Sequence, residues 1–311
     1  MTRHFLRDDD LTPAEQARVL DLAAQMKADR TARQPLVGPQ AVAIIFDKPT
    51  LRTQLSFSTG VAELGGFPTV VDGNLAQIGT RESVADVARV LGRQVSLIVW
   101  RTFGQDRIEE MAQFAGVPVV NALTDDFHPC QILADLLTIK EHKADLAGLT
   151  ITYVGDGANN MAHSYLLGGS LAGMHVRIGT PGSHRPQPAV LERAQEIAAD
   201  TGGSVAVGDD PITAVRGADV VITDTWVSMG KETEAQTRKG VESPFARFAL
   251  DETLLGHAAA DAIVMHCLPA YRGFEISADV IDGPRSVVWD EAENRLHAQK
   301  ALMAFLLEQS S

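Results

Sequence analysis

Short apolar runs separated by helical segments recur along this chain, and that alternation constrains its fold more than any other feature. Candidate strands in the first half are 41–46 (AVAIIF), 67–71, 95–100 and 117–120. In the second half they are 149–155, 175–179, 204–207, 219–224, 262–266 and 286–289. Segments 55–64, 81–92, 106–115 and 130–143 carry the spacing of amphipathic helices. Apolar strands each followed by a helix specify parallel sheets covered on both faces, because a parallel connection needs a long crossover. About ten strands exceed one ordinary sheet. The expected fold class is therefore α/β, two domains, each a parallel sheet flanked by helices. The first is expected over residues 1–138 and the second over 139–289, with the helical run near 130–143 connecting them. A last helix, 290–311, is placed to pack back on the first domain.

The chain opens with a helix signal, "TPAE" at 12–15. Thr12 is the N-cap, Pro13 takes the first helical position, and Glu15 closes a capping box. Val19, Leu20, Ala23, Ala24 and Met26 follow as the apolar stripe. No apolar run approaches the roughly 20 residues of a membrane span, and "MTRHFLRDDD" has no apolar core of a secretory signal. Two cysteines, Cys130 and Cys267, are too few for a disulfide framework and suit a reducing cytoplasm. A net charge of −13 opposes nucleic-acid binding, which relies on basic surface. It leaves room for a small anion held by local arginines.

In open parallel sheets, ligands bind beyond the carboxyl ends of strands, where helices begin. Polar clusters recur at such places here. After strand 41–46 come Thr50, Leu51, Arg52 and Thr53 at a helix start. Backbone N–H groups and the helix dipole favour an anion there, two hydroxyls add donors, and a guanidinium matches phosphate oxygens. A threonine cap beside a solvent-facing arginine would read the same way. Arg101 directly follows strand 95–100, and His128 and Gln131 in "FHPCQ" share one face of the next helix. His128 with Cys130 lacks the further ligand pair a zinc site needs. "VGDGANNMAHS" (154–164) is a glycine-rich turn after a strand, but Asn160 stands where a dinucleotide fingerprint has its third glycine. The next strand ends in "IGTPG", without a ribose-binding acid. Asp224 ends a strand in "TDTWVSMG", where Ser228 and Met229 begin a loop. Cys267 follows His266 at the end of strand 262–266, where strand alternation would turn the two side chains to opposite faces.

Taken in order, "HPCQ", "DGANNMAHS", "DTWVSMG" and "HCLPAYRG" resemble the carbamoyltransferase family, its ornithine-specific branch above all. The resemblance runs from the opening helix to "WDEAENRLHAQKAL". It implies a carbamoyl-phosphate domain, an ornithine-binding domain, and a homotrimer with active sites near subunit interfaces; because phosphate is a good leaving group and can itself accept the amine proton, no metal or organic cofactor is expected. By resemblance Thr50, Leu51, Arg52 and Thr53 form the phosphate loop. Arg101, His128, Gln131 and Arg295 hold the carbamoyl phosphate, and Gln77 lies on a loop that helps close its site. Asn159, Asp224, Ser228 and Met229 bind ornithine, while Cys267 and Leu268 lie between the two substrates. Arg101, His128, Asp224 and Cys267 are the expected catalytic residues. Where relatives carry Ser-x-Arg-Thr-Arg, this chain has Thr50 for the serine and Gln54 for the last arginine, which deletes one positive charge near the anion. The implied reaction moves the carbamoyl group to ornithine's side-chain amine, giving citrulline and phosphate. The alternatives are a related amine, N-acylornithine or putrescine, or a non-catalytic ligand-binding paralogue.

Overall fold

The computed structural model describes residues 2–38, 40–227, 238 and 243–309. The chain divides into two compact units, Met1–Leu137 with Glu293–Ser311 and Thr138–Ala292.

The first unit opens with α1 (Pro13–Ala28), whose start is built as a capping box: the Thr12 hydroxyl accepts from the Glu15 N–H, and the Glu15 carboxylate accepts from the Thr12 N–H. The buried stripe of α1 includes Val19, Leu20, Ala23 and Met26 as expected, but Leu22 is buried where Ala24 is exposed, because helical spacing sets Leu22 nearer the centre of that stripe. Strands β1 (Ala41–Phe46), β2 (Phe67–Asp72), β3 (Leu97–Arg101) and β4 (Val119–Leu123) form a parallel sheet in the order β2-β1-β3-β4. Helices α2 (Arg52–Glu63), α3 (Gly73–Ala76), α4 (Val84–Leu91) and α5 (Gln105–Ala115) make the crossovers, and α6 (Pro129–Lys143) leads out of the sheet. The strand order reverses between β1 and β3, so the carboxyl ends of these two strands flank a crevice.

The C-terminal helix, Val288–Gln309, begins in the second unit and continues in the first. Within the first unit it is tied to α1 and α2 by a lysine. Lys300 is fully buried, and its Nζ donates to the carbonyls of Met26 (3.3 Å) and Arg30 (2.7 Å) and to Glu63 Oε2 (2.6 Å). A buried ammonium is tolerable only with such a full set of acceptors, two of them carbonyls near the end of α1.

The second unit holds β5 (Thr150–Val154), β6 (His175–Gly179), β7 (Ser204–Gly208), β8 (Val220–Thr223) and β9 (Ile263–Met265), parallel in the order β7-β6-β5-β8-β9. Helices α7 (Asn160–Leu171), α8 (Pro188–Thr201) and α9 (Pro211–Val215) connect them. Here the order reverses between β5 and β8. The expected strand 286–289 does not form: Ser286 makes a single bridge to Val264, and helix begins at Val288. A four-residue apolar run fits strand or helix equally, and Asp290 and Glu291 behind it favour a helix start. Among the described residues, no helix is long and apolar enough to cross a membrane.

Candidate active site

Each unit gathers its polar cluster at the point where its strand order reverses. In the first unit, Phe46 and Arg101 are register partners at the ends of β1 and β3. The Asp47 N–H donates to the Arg101 carbonyl (2.9 Å), which locks the two strand ends together. Helix α2 starts at Arg52, three residues earlier than its apolar periodicity suggests, and the Thr50 hydroxyl accepts from the Thr53 N–H (3.4 Å) in its first turn. Thr53 is buried, and its Oγ1 accepts from Arg101 Nη1 (3.5 Å) and Arg295 Nη2 (3.3 Å). Two guanidiniums far apart in the sequence thus meet at one hydroxyl. Gln131 Oε1 accepts from Arg295 Nη1 (2.5 Å), while its Nε2 donates to Asp135 Oδ1 (2.8 Å).

His128 is buried beside these groups. Burial first, then the charges of Arg295, Arg101, Arg52 and Lys48, hold its imidazole well below the ordinary histidine range. It is therefore neutral at physiological pH and suited to a hydrogen bond to a carbonyl group. Lys48 pairs with Asp125 and lies over the Phe103 ring. Bringing like charges this close costs energy that a bound dianion would offset.

In the second unit, Val154 and Thr223 are register partners, and the residues beyond them carry the cluster. Asn159 caps α7: its Oδ1 accepts from the Ala162 N–H (2.9 Å), which leaves Nδ2 to donate to Tyr153 Oη (2.8 Å) and toward Asp224 Oδ2 (3.5 Å). Asp224 Oδ1 accepts from Cys267 Sγ (3.3 Å) and from the Thr225 N–H (2.7 Å). Burial pushes the Asp224 carboxyl above the usual range, against the pull of the Cys267 and Thr225 hydrogen bonds. Burial, with Asp224 and Asp156 nearby, likewise holds the Tyr153 phenol well above its ordinary value, so it stays protonated.

The expected separation of His266 from Cys267 is not found. Strand β9 ends at Met265, so both residues lie past the alternating segment. Ligand atoms of Asp224, His266 and Cys267 all fall within 4.8 Å of one another. His266 nevertheless offers no lone pair to a cation: Nδ1 accepts from the Leu268 N–H (2.9 Å), so the proton sits on Nε2, which faces Glu275 Oε1 (3.3 Å). Asp224 and Cys267 share a hydrogen bond, and His266 braces the Cys267–Leu268 turn, where Leu268 adopts φ 56°.

Of the residues singled out from the sequence, Thr50, Thr53, Arg101, His128, Gln131 and Arg295 come together in the first unit, with Arg52 close enough to bias His128. Leu51 stands exposed, and Gln77 is an exposed left-handed residue (φ 51°) whose carbonyl accepts from the Thr80 hydroxyl. Gln54 is exposed on α2, so the missing arginine would have stood at the surface of this unit. Asn159, Asp224 and Cys267 come together in the second unit, with Leu268 adjoining. Ser228 and Met229 lie outside the described residues. Sequence reasoning missed Tyr153, Gln299 and the His266–Glu275 pair. Only Gln299 carried a local signal, its four-residue spacing from Arg295 on one helix.

Comparison with known proteins bears on both units. Residues 3–141 match the family model described as aspartate/ornithine carbamoyltransferase, carbamoyl-P binding domain. Residues 147–306 match the one described as aspartate/ornithine carbamoyltransferase, Asp/Orn binding domain. The chain is 61% identical over 310 residues to an ornithine carbamoyltransferase of Clavibacter sepedonicus, covering 100% of both. Its fold is similar to the ornithine carbamoyltransferase structure from Pyrococcus furiosus, with a TM-score of 0.94, 42% identity, and coverage of 99% of this chain and 97% of that one. The corresponding Gloeobacter violaceus structure gives a TM-score of 0.87 at 45% identity, covering 98% of both chains.

Proposed function

This chain belongs to the aspartate/ornithine carbamoyltransferase family, and from that premise we propose how its residues divide the work. It transfers the carbamoyl group of carbamoyl phosphate to the side-chain amine of L-ornithine, giving L-citrulline and phosphate. In the proposed division, carbamoyl phosphate binds the first unit and ornithine the second. The observation that carries the first assignment is the meeting of Arg101 and Arg295 at the Thr53 hydroxyl, where α2 begins. Thr50, Leu51, Arg52 and Thr53 present N–H groups, hydroxyls and a guanidinium to the phosphate, and Gln131 and Arg295 complete its surroundings. Arg101, His128 and Thr53 meet the carbonyl oxygen as negative charge develops on it. Parts for Gln77, Cys267 and Leu268 in holding carbamoyl phosphate rest on the family resemblance alone.

Ornithine's α-substituents are assigned to Asn159, Ser228 and Met229, and its reacting amine to Asp224 and Cys267. A free amine of this kind has a pKa of about 10.4, so roughly one molecule in a thousand is neutral near pH 7.4, a barrier of about 4 kcal/mol. The Asp224 carboxylate orients the amine by accepting one of its N–H bonds, and exclusion of water lowers the amine's pKa. The nitrogen lone pair then attacks the carbonyl carbon, the carbon–oxygen bond to phosphate breaks, and phosphate takes up the amine proton. The test is citrulline formation by purified protein, with putrescine, aspartate and N-acetylornithine run as competitors. Ornithine alone is expected to turn over. A preference for another amine would reassign the acceptor, and no turnover with any would leave a binding protein.

Assembly as a homotrimer is part of the same proposal. Leu55 on α2, Leu51 just before it, Leu75 on α3, and Phe67 and Val70 on the edge strand β2 are exposed, and both helices pack on that strand. An open apolar sheet edge favours covering by another chain, here a second copy. Leu55→Glu is expected to shift the protein to monomer in size-exclusion chromatography; an unchanged elution volume would discard this face. A cytoplasmic setting suits the two free cysteines, and burial pushes the Cys130 thiol up to about 12, which keeps it unreactive.

A further inference from the structure

Arg295 reaches the anion cluster from the C-terminal helix, and a second residue of that helix holds it there. Gln299 lies one turn further on and is fully buried. With its amide oriented so that oxygen faces donors and nitrogen faces acceptors, its Oε1 accepts from Arg295 Nη2 (2.8 Å) and Nε (2.9 Å). Its Nε2 donates to Ser56 Oγ (2.6 Å) and to the Arg295 carbonyl (3.2 Å). Ser56 Oγ in turn donates to the Thr53 carbonyl (3.2 Å), so one amide links the arginine to the first turn of α2.

We propose that Gln299 is a positioning residue of the phosphate site, a neutral acceptor that fixes the Arg295 guanidinium beside Thr53 without cancelling its charge. The inference rests on the reading that Arg295 meets carbamoyl phosphate. Arginine is long and rotamer-rich, so an arginine ordered before the ligand arrives spares binding that entropic cost. The choice of acceptor matters as much as the ordering. Gln131, Thr53 and Gln299, which all accept from this guanidinium, are uncharged. A carboxylate at position 299 would hold the guanidinium at least as firmly, but it would neutralise the charge the phosphate needs.

Gln299→Met keeps the volume and removes the amide; Gln299→Glu keeps the shape and adds a charge. In steady-state kinetics both are expected to raise KM for carbamoyl phosphate about tenfold, on the scale of one hydrogen bond to a charged group. The inhibition constant of inorganic phosphate should rise in parallel, while KM for ornithine at saturating carbamoyl phosphate stays put. A merely structural role would lower the unfolding temperature without separating the two substrates. Wild-type KM for carbamoyl phosphate in either variant overturns the proposal, and the Glu variant carries the test if the Met variant fails to fold. Arg295→Met, run alongside, separates the two ideas: an unchanged KM there refutes the assignment of Arg295, whereas a raised KM there with a normal Gln299→Met refutes only the role of Gln299.

Discussion

Arg101→Ala is expected to lower kcat by about 10² or more, the usual cost of losing one donor to a developing oxyanion. The reason lies in how the side chain is held. Arg101 is the last residue of β3; its carbonyl is fixed by the Asp47 N–H, it is buried, and its Nη1 reaches Thr53 Oγ1 at 3.5 Å. A donor ordered in advance spends nothing on reorganisation when charge appears on the carbonyl oxygen. Arg101→Lys keeps the charge and loses the planar fork, so it should recover only part of the rate. The loss should also be independent of pH above about 6.5, because the neighbouring histidine is already neutral there: burial and the arginines keep His128 well below that value. Pre-steady-state measurement of the chemical step, with thermal unfolding as a control for folding, checks both statements. A near-wild-type rate for the alanine variant would remove Arg101 from the mechanism.

Asp224→Asn should cut kcat/KM for ornithine by about 10² or more while leaving KM for carbamoyl phosphate unchanged. The substitution is isosteric and retains an oxygen for the Thr225 N–H, so the lost element is the charge proposed to orient the amine. Burial raises this carboxyl in the folded protein above its unfolded value. The folded state therefore binds the proton more tightly than the unfolded state, and stability falls as pH rises from the unfolded to the folded pKa. Above the folded pKa the ionised carboxylate imposes its full penalty. The Asn variant escapes that penalty, so it should unfold at an equal or higher temperature near pH 7 even as activity collapses, a trade of stability for function. On the acid side, the wild type should lose ornithine turnover as Asp224 protonates, beginning at a higher pH than an ordinary aspartate would, and the Asn variant should lack that limb. Calorimetry and a pH profile of kcat/KM together decide it: an Asn variant that is both less stable and still active would show that Asp224 is structural.

How far these sites could be read in advance depended on the range of the physics involved. The placement of Thr50–Thr53 between a strand end and a helix start was legible because these residues are contiguous with both elements, and the Asp224 and Asn159 positions were legible for the same reason. The capping box at Thr12 and Glu15 needed only three residues. Where the local signal was ambiguous, the reading failed. Residues 286–289 could extend or coil, and the choice went to helix beside a Glu291 carboxylate that accepts from the His266 N–H at 2.8 Å. The alternation rule, sound inside a strand, was carried one residue too far at His266.

By itself the sequence determined the two parallel α/β sheets, the family, and which residue types stand at the strand ends, since periodicity and motif spacing act over about ten residues of chain. Only the tertiary structure decided that Arg101 and Arg295 share the Thr53 hydroxyl, that Gln299 grips Arg295, and that Asp224, Asn159 and Cys267 touch. The physical reason is that such contacts join residues far apart in the chain, and their meeting is set by strand order. The strand order reverses between β1 and β3 and between β5 and β8, and no stretch of residues read alone contains that order.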